Sequence, residues 1–97
     1  MLTTELTAWA TTAATMPEAD AGITITAAEI TTEPGGRHIE ERGEIATSDP
    51  QPDDWGIIDG GGFDRDAADK LLDEMGYRRI GDWQGSDMAY ATHVEAV

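Results

Sequence analysis

Four aspartates, Asp59, Asp64, Asp66 and Asp69, are the nearest approach to a hard-cation site in the chain. Their oxygens suit calcium or magnesium, but their spacing does not fit the alternating ligands of a calcium loop. Solvated aspartates at the start of a helix explain them more simply. Gly60-Gly61-Gly62 precedes the same helix start, where backbone N–H groups can cradle a phosphate. A phosphate loop also needs a following lysine, and here aspartates surround the glycines instead. A flexible connection is the better reading. His38 and His93 are the only side chains that normally titrate near neutral pH, and each falls in an expected strand. Catalysis or metal binding would require both on one face of a sheet. Ser48 and Ser86 lie in turn-like stretches without a nucleophile elbow, and no cysteine is present. These residues point away from an enzyme and to no cofactor.

Charge is more informative than any motif. The chain holds 20 acidic side chains against 6 Lys and Arg, a net charge of -14 over 97 residues. Residues 1–36, 37–63 and 64–97 carry -5, -5 and -4, so the acidity is spread along the chain and does not form a tail. Such a surface repels nucleic acid, phosphorylated ligands and anionic membranes, and attracts a basic protein surface. No apolar run approaches the roughly 20 residues of a membrane-spanning helix, and a signal-peptide pattern is missing. An intracellular, cytoplasmic setting is expected.

Two clusters fit a basic partner. Trp55 follows Asp53 and Asp54, an aromatic anchor beside acids. Asp66, Asp69 and Asp73 recur at three- and four-residue steps, with Glu74 adjacent, so they line one helix face at roughly 4.5–6 Å intervals. Phosphates along a DNA strand advance about 3.4 Å per nucleotide, so this row could enter a groove built for a backbone. Lys70 dilutes the row, and a charged helix face is usually only solvated. For Trp9, Trp55 and Trp83 the plainer role is filling a small core.

The elements that must position these residues follow from periodicity. Leu6, Trp9, Ala13 and Met16 fall on one face of a helix expected over residues 4–16, closed by Met16-Pro17. Gly22 to Thr32 alternates as a strand whose apolar phase shifts to Ala28 and Ile30, the mark of a bulge or of a change of exposed face. Glu33-Pro34-Gly35-Gly36 is a turn, and a weaker strand follows from Arg37 to Thr47. Trp55 to Ile58 adds a short strand. Asp64 caps a second helix with Ala68, Leu71, Leu72 and Met75 as its buried stripe and Gly76 as its terminator. Tyr77 to Trp83 and Met88 to Val94 form a hairpin around Gln84-Gly85-Ser86-Asp87. The expected fold is α+β, a single compact domain over residues 1–97. Its antiparallel sheet of four to five strands carries two helices packed on one face. The final strand, left as an unprotected edge, could pair two copies into a homodimer.

The run Leu72-Asp73-Glu74-Met75-Gly76-Tyr77-Arg78-Arg79-Ile80-Gly81-Asp82-Trp83, with the hairpin after it, resembles small uncharacterised acidic proteins of high-GC actinobacteria and their phages. The resemblance covers about a third of the chain and implies an origin, not a reaction.

The leading expectation is a small acidic, non-enzymatic protein-binding module. Its most concrete form is a nucleic-acid mimic from a mobile element that inhibits a DNA-binding or defence protein. Partner binding is assigned to Asp53, Asp54, Trp55, Asp66, Asp69, Asp73 and Glu74. One alternative is a domain whose acidity reflects a halophilic or high-GC host. Another is a minor metal-dependent enzyme built on His38, His93 and the Asp59–Asp69 cluster.

Overall fold

The computed structural model describes residues 2–14, 20–58, 62–85 and 89–97. Its elements are β1 (Leu2–Thr11), β2 (Gly22–Glu33), β3 (Gly36–Thr47), α1 (Arg65–Met75), β4 (Tyr77–Arg79), β5 (Gln84–Gly85) and β6 (Tyr90–Ala96). The strands form one antiparallel sheet in the order β3-β2-β1-β6-β4, with β5 also paired to β6. The expectation of two helices on four to five strands is corrected to one helix on six strands among the described residues.

The first expected helix is a strand, and a central one. Its threonines suit this form: Thr3, Thr4, Thr7 and Thr11 are β-branched and lose side-chain freedom in a helix but not in a strand. Burial alternates along it, with Ala8 and Ala10 buried and Trp9 between them exposed, so the working period is two and not three to four. β1 is hydrogen-bonded to β2 on one side and β6 on the other. The expected helix end at Met16-Pro17 lies outside the described residues.

β2 and β3 form a long hairpin of two strands, each of 12 residues. At about 3.3 Å per residue such a strand reaches roughly 40 Å, which accounts for most of the molecule's 49 Å long axis. The expected irregularity near Ala28 is present, although the extra residues belong to β3. The register slips between Ile25 and Thr26 and again between Ala27 and Ala28, leaving Ile45 and Arg42 without partners on β2. β3 is also the long free edge of the sheet. The expected edge, the last strand, is instead interior, flanked by β1 and by β4 with β5.

The helix forms as its sequence requires. Asp64 has extended backbone angles, and its carboxylate accepts from the Ala67 amide at 3.1 Å. Gly76 ends the helix at φ 90°, a left-handed conformation that favours glycine. Ala68, Leu71 and Leu72 then face the sheet and join Ala8, Ala10, Ile23, Ile25, Val94 and Trp83 in one apolar cluster. Full burial of side chains such as Leu72 and Ile25 contributes about 1.5–3 kcal/mol each. The expected strand from Trp55 to Ile58 is instead a turn over residues 53–56, followed by a single bridge from Ile57 to Phe63. The expected strand from Tyr77 to Trp83 breaks after Arg79, because Trp83 leaves the ladder to enter the core. There Phe63 meets Trp83 edge to face at 5.5 Å and stacks on Tyr90 at 4.0 Å. No helix among the described residues is long and apolar enough to cross a membrane.

Candidate functional site

The acids singled out by sequence fall into two neighbouring groups. Asp53 and Asp54 occupy the turn that ends at Gly56, and the Gly56 carbonyl accepts the Asp64 amide at 2.8 Å. That bond ties the acidic turn to the start of α1, where Asp66 is exposed. Trp55 is half-buried and packs against the core cluster, so it braces the turn more than it presents a ring to solvent. Asp73 and Glu74 are exposed in the last turn of α1, roughly 10 Å along the axis from Asp66. An acidic strip therefore runs from the turn over the outer side of the helix.

Asp69 is the exception within the row. Its carboxylate accepts from Arg79 Nε at 2.8 Å and Nη2 at 3.0 Å, and from Trp83 Nε1 at 2.9 Å. Burial alone would raise its pKa, but the hydrogen bonds from Arg79 and Trp83 and the Arg79 and Arg65 charges together hold it below the ordinary carboxylate value. The middle charge of the row is thus committed to anchoring the helix on β4 and the buried indole.

Among the described residues, ion pairs join Arg42 to Glu29 and Glu40, Arg78 to Glu95, and Arg79 to Asp69 and Asp82. Asp53, Asp54, Asp66, Asp73 and Glu74 make none. Half of the 6 basic side chains are therefore used internally, and Lys70, within the helix row, makes no ion pair with the strip among the described residues.

The remaining candidates separate. His38 pairs in register with Thr31, which pairs with Leu2, whereas His93 pairs with Thr7. Leu2 and Thr7 differ by an odd number of positions on one strand, so the two histidines project from opposite faces of the sheet. Asp59, Gly60, Gly61, Ser86, Asp87 and Met88 lie outside the described residues. Among the described residues no group of three or more His, Asp or Glu stands close enough to share a metal ion.

The face of the sheet opposite α1 was not anticipated. Register places Gln84, Ala91, Trp9, Thr24 and Thr47 in one cross-strand row, and His93, Thr7, Thr26 and Glu44 in the next. A third row holds Glu5, Ala28 and Glu41. Trp9 is 40% exposed on this open face, and its Nε1 donates to Thr26 Oγ1 at 2.8 Å. A period-two reading of the threonines of β1 would have placed Trp9 there, opposite Ala8 and Ala10.

No family model, curated protein or solved structure matches the chain. The resemblance of residues 72–83 to small actinobacterial and phage proteins gains no relative from these comparisons.

Proposed function

We propose that the protein is an acidic, non-enzymatic binding module that receives a basic protein surface, acting inside the cell. The observation that carries this reading is the strip of unpaired carboxylates from Asp53 and Asp54 through Asp66 to Asp73 and Glu74, held in fixed relation by the bond between Asp64 and Gly56. A rigid helix and a braced turn present these charges without the ordering cost of a disordered acidic tail. The most concrete partner is a DNA-binding protein whose groove accepts the strip in place of a phosphate backbone. In this reading Asp69 orients the row from behind and leaves the contact to the other five acids.

The test is retention of host proteins on the immobilised domain at low salt. DNA-binding proteins should be retained, displaced by duplex DNA, and lost when Asp53, Asp54, Asp66 and Asp73 become Asn and Glu74 becomes Gln. Retention that neither DNA nor these substitutions affects would overturn the reading.

A second reading is favoured by the spread of acids over other surfaces, among them Glu5, Glu41 and Glu44 on the open face. Here the acidity adapts a folded domain to a saline host. Its signature is a urea midpoint that rises steeply from low to molar salt as self-repulsion is screened. A flat response would remove it.

A further inference from the structure

Trp9 stands as a ridge between two hollows on the open face. One, about 540 Å³, is lined by Thr7, Gly81, Asp82, Gln84, Ala91 and His93, among others. The second, about 230 Å³, is lined by Thr7, Thr26, Ala28, Glu41 and Gly43. Each hollow has the indole as one wall and a carboxylate on its rim. Asp82 is almost fully solvated, with a side-chain exposure of 89%, and meets Arg79 only at 3.4 Å. Glu41 makes no ion pair among the described residues. The hydrogen bond to Thr26 holds the indole in place over the threonine row, so the ring need not be ordered when something binds.

We infer that this face docks an extended polypeptide segment carrying arginines. Several observations select that occupant. A guanidinium is planar, stacks on an indole and forks to a carboxylate, and both groups border each hollow. Alternate side chains of an extended segment are about 6.8 Å apart and project to one side, so two arginines at i and i+2 can straddle one ring. The bases that register places on this face are few: Arg37 at the far end of β3, Arg78, which Glu95 already holds, and His93 in the wall of the larger hollow. A second copy of a chain with net charge -14 would be repelled. Nucleic acid would be repelled for the same reason. The surface is separate from the acidic strip on the helix and does not depend on that strip's role.

Nuclear magnetic resonance of the ¹⁵N-labelled protein tests this, since it contains only three indole N–H groups and Trp9→Phe assigns one of them. The probe is a short peptide of alternating arginine and threonine, compared with its lysine and glutamate counterparts at low salt. The Trp9 indole resonance should shift saturably with the arginine peptide, less with lysine and not with glutamate. Affinity should fall about fivefold in Trp9→Ala, the value of an exposed cation–π contact. It should fall similarly in Glu41→Gln combined with Asp82→Asn, and stay unchanged in Glu33→Gln, an exposed acid at the hairpin end of β2 outside both surfaces. Should Trp9→Ala lose its dispersed spectrum, the carboxamide pair decides, because both side chains are on the surface. Shifts confined to α1 amides with the Trp9 signal unmoved would overturn the inference while leaving the acidic strip standing. So would equal binding of the lysine and arginine peptides that Trp9→Ala does not weaken, or no binding at all.

Discussion

Asp69 on the helix and Arg79 at the end of β4 meet through two parallel hydrogen bonds, Nε to Oδ1 at 2.8 Å and Nη2 to Oδ2 at 3.0 Å. Trp83 Nε1 adds a third to the same carboxylate at 2.9 Å. One side chain thus joins α1, β4 and the buried indole that interrupts the following strand. A bidentate pair of this kind has both direction and strength, unlike the other surface pairs of this chain.

Asp69→Asn should therefore destabilise the fold by about 1–2 kcal/mol, the range for hydrogen bonds to a charged group reduced for partial exposure. Asp73→Asn, one turn away and exposed, should stay within about 0.5 kcal/mol. Urea unfolding of the two variants checks this. Equal effects would show that Asp69 is only another surface acid.

The same pair predicts a pH dependence. The carboxyl of Asp69 is lower in the folded than in the unfolded state, so its contribution is complete above the ordinary carboxylate range, about pH 4–5. It is lost as pH falls through the depressed folded value. The stability gap between wild type and Asp69→Asn should be constant from neutral pH to about pH 5 and shrink below about pH 4. Urea midpoints across that range measure it, and a gap independent of pH would contradict the assignment.

Gly43 and Gly56 both have positive φ, 81° and 76°, but different surroundings. A Cβ at Gly43 meets open space, whereas at Gly56 it would stand 2.8 Å from Thr12 Cγ2. Gly43→Ala should cost about 1–2 kcal/mol for the left-handed backbone alone. Gly56→Ala should cost about 2–4 kcal/mol, because overpacking adds to the same strain. Thermal and urea unfolding of the pair would separate the two contributions.

Leu72 and Ile39 contrast the two ends of the molecule. Leu72 is buried beneath the helix, and Ile39 is 55% exposed on the free edge strand. Leu72→Ala should cost about 2–5 kcal/mol, and Ile39→Ala less than about 1 kcal/mol. A comparable loss at Ile39 would mean that something covers β3 in solution, which sedimentation would reveal as self-association.

The helix from Arg65 to Met75 was legible in the sequence because its determinants are local. Asp64 caps it, an apolar stripe recurs at three and four residues, and Gly76 supplies the left-handed stop. The β2–β3 hairpin was legible for a similar reason, since alternation and a Pro-Gly-Gly turn lie side by side in the chain. The acids of the strip, all but one exposed, were equally readable from charge alone. β1 was not, because its few apolar residues satisfy a helical and a strand period at once. What settles its form is hydrogen bonding to two strands distant in sequence, β2 and β6.

By itself the sequence determined the net charge, the well-capped helix from Arg65 to Met75 and the long hairpin, all set by composition or near neighbours. Only the tertiary structure decided which tryptophan meets solvent and which aspartate is spent. Trp9 faces outward because strand register assigns faces by parity, and Trp83 turns inward where the chain leaves the ladder between β4 and β5. Asp69 leaves the acidic row because β4 returns Arg79 to it from ten residues further along the chain. Both outcomes depend on pairings between distant segments, which local residue preferences do not encode.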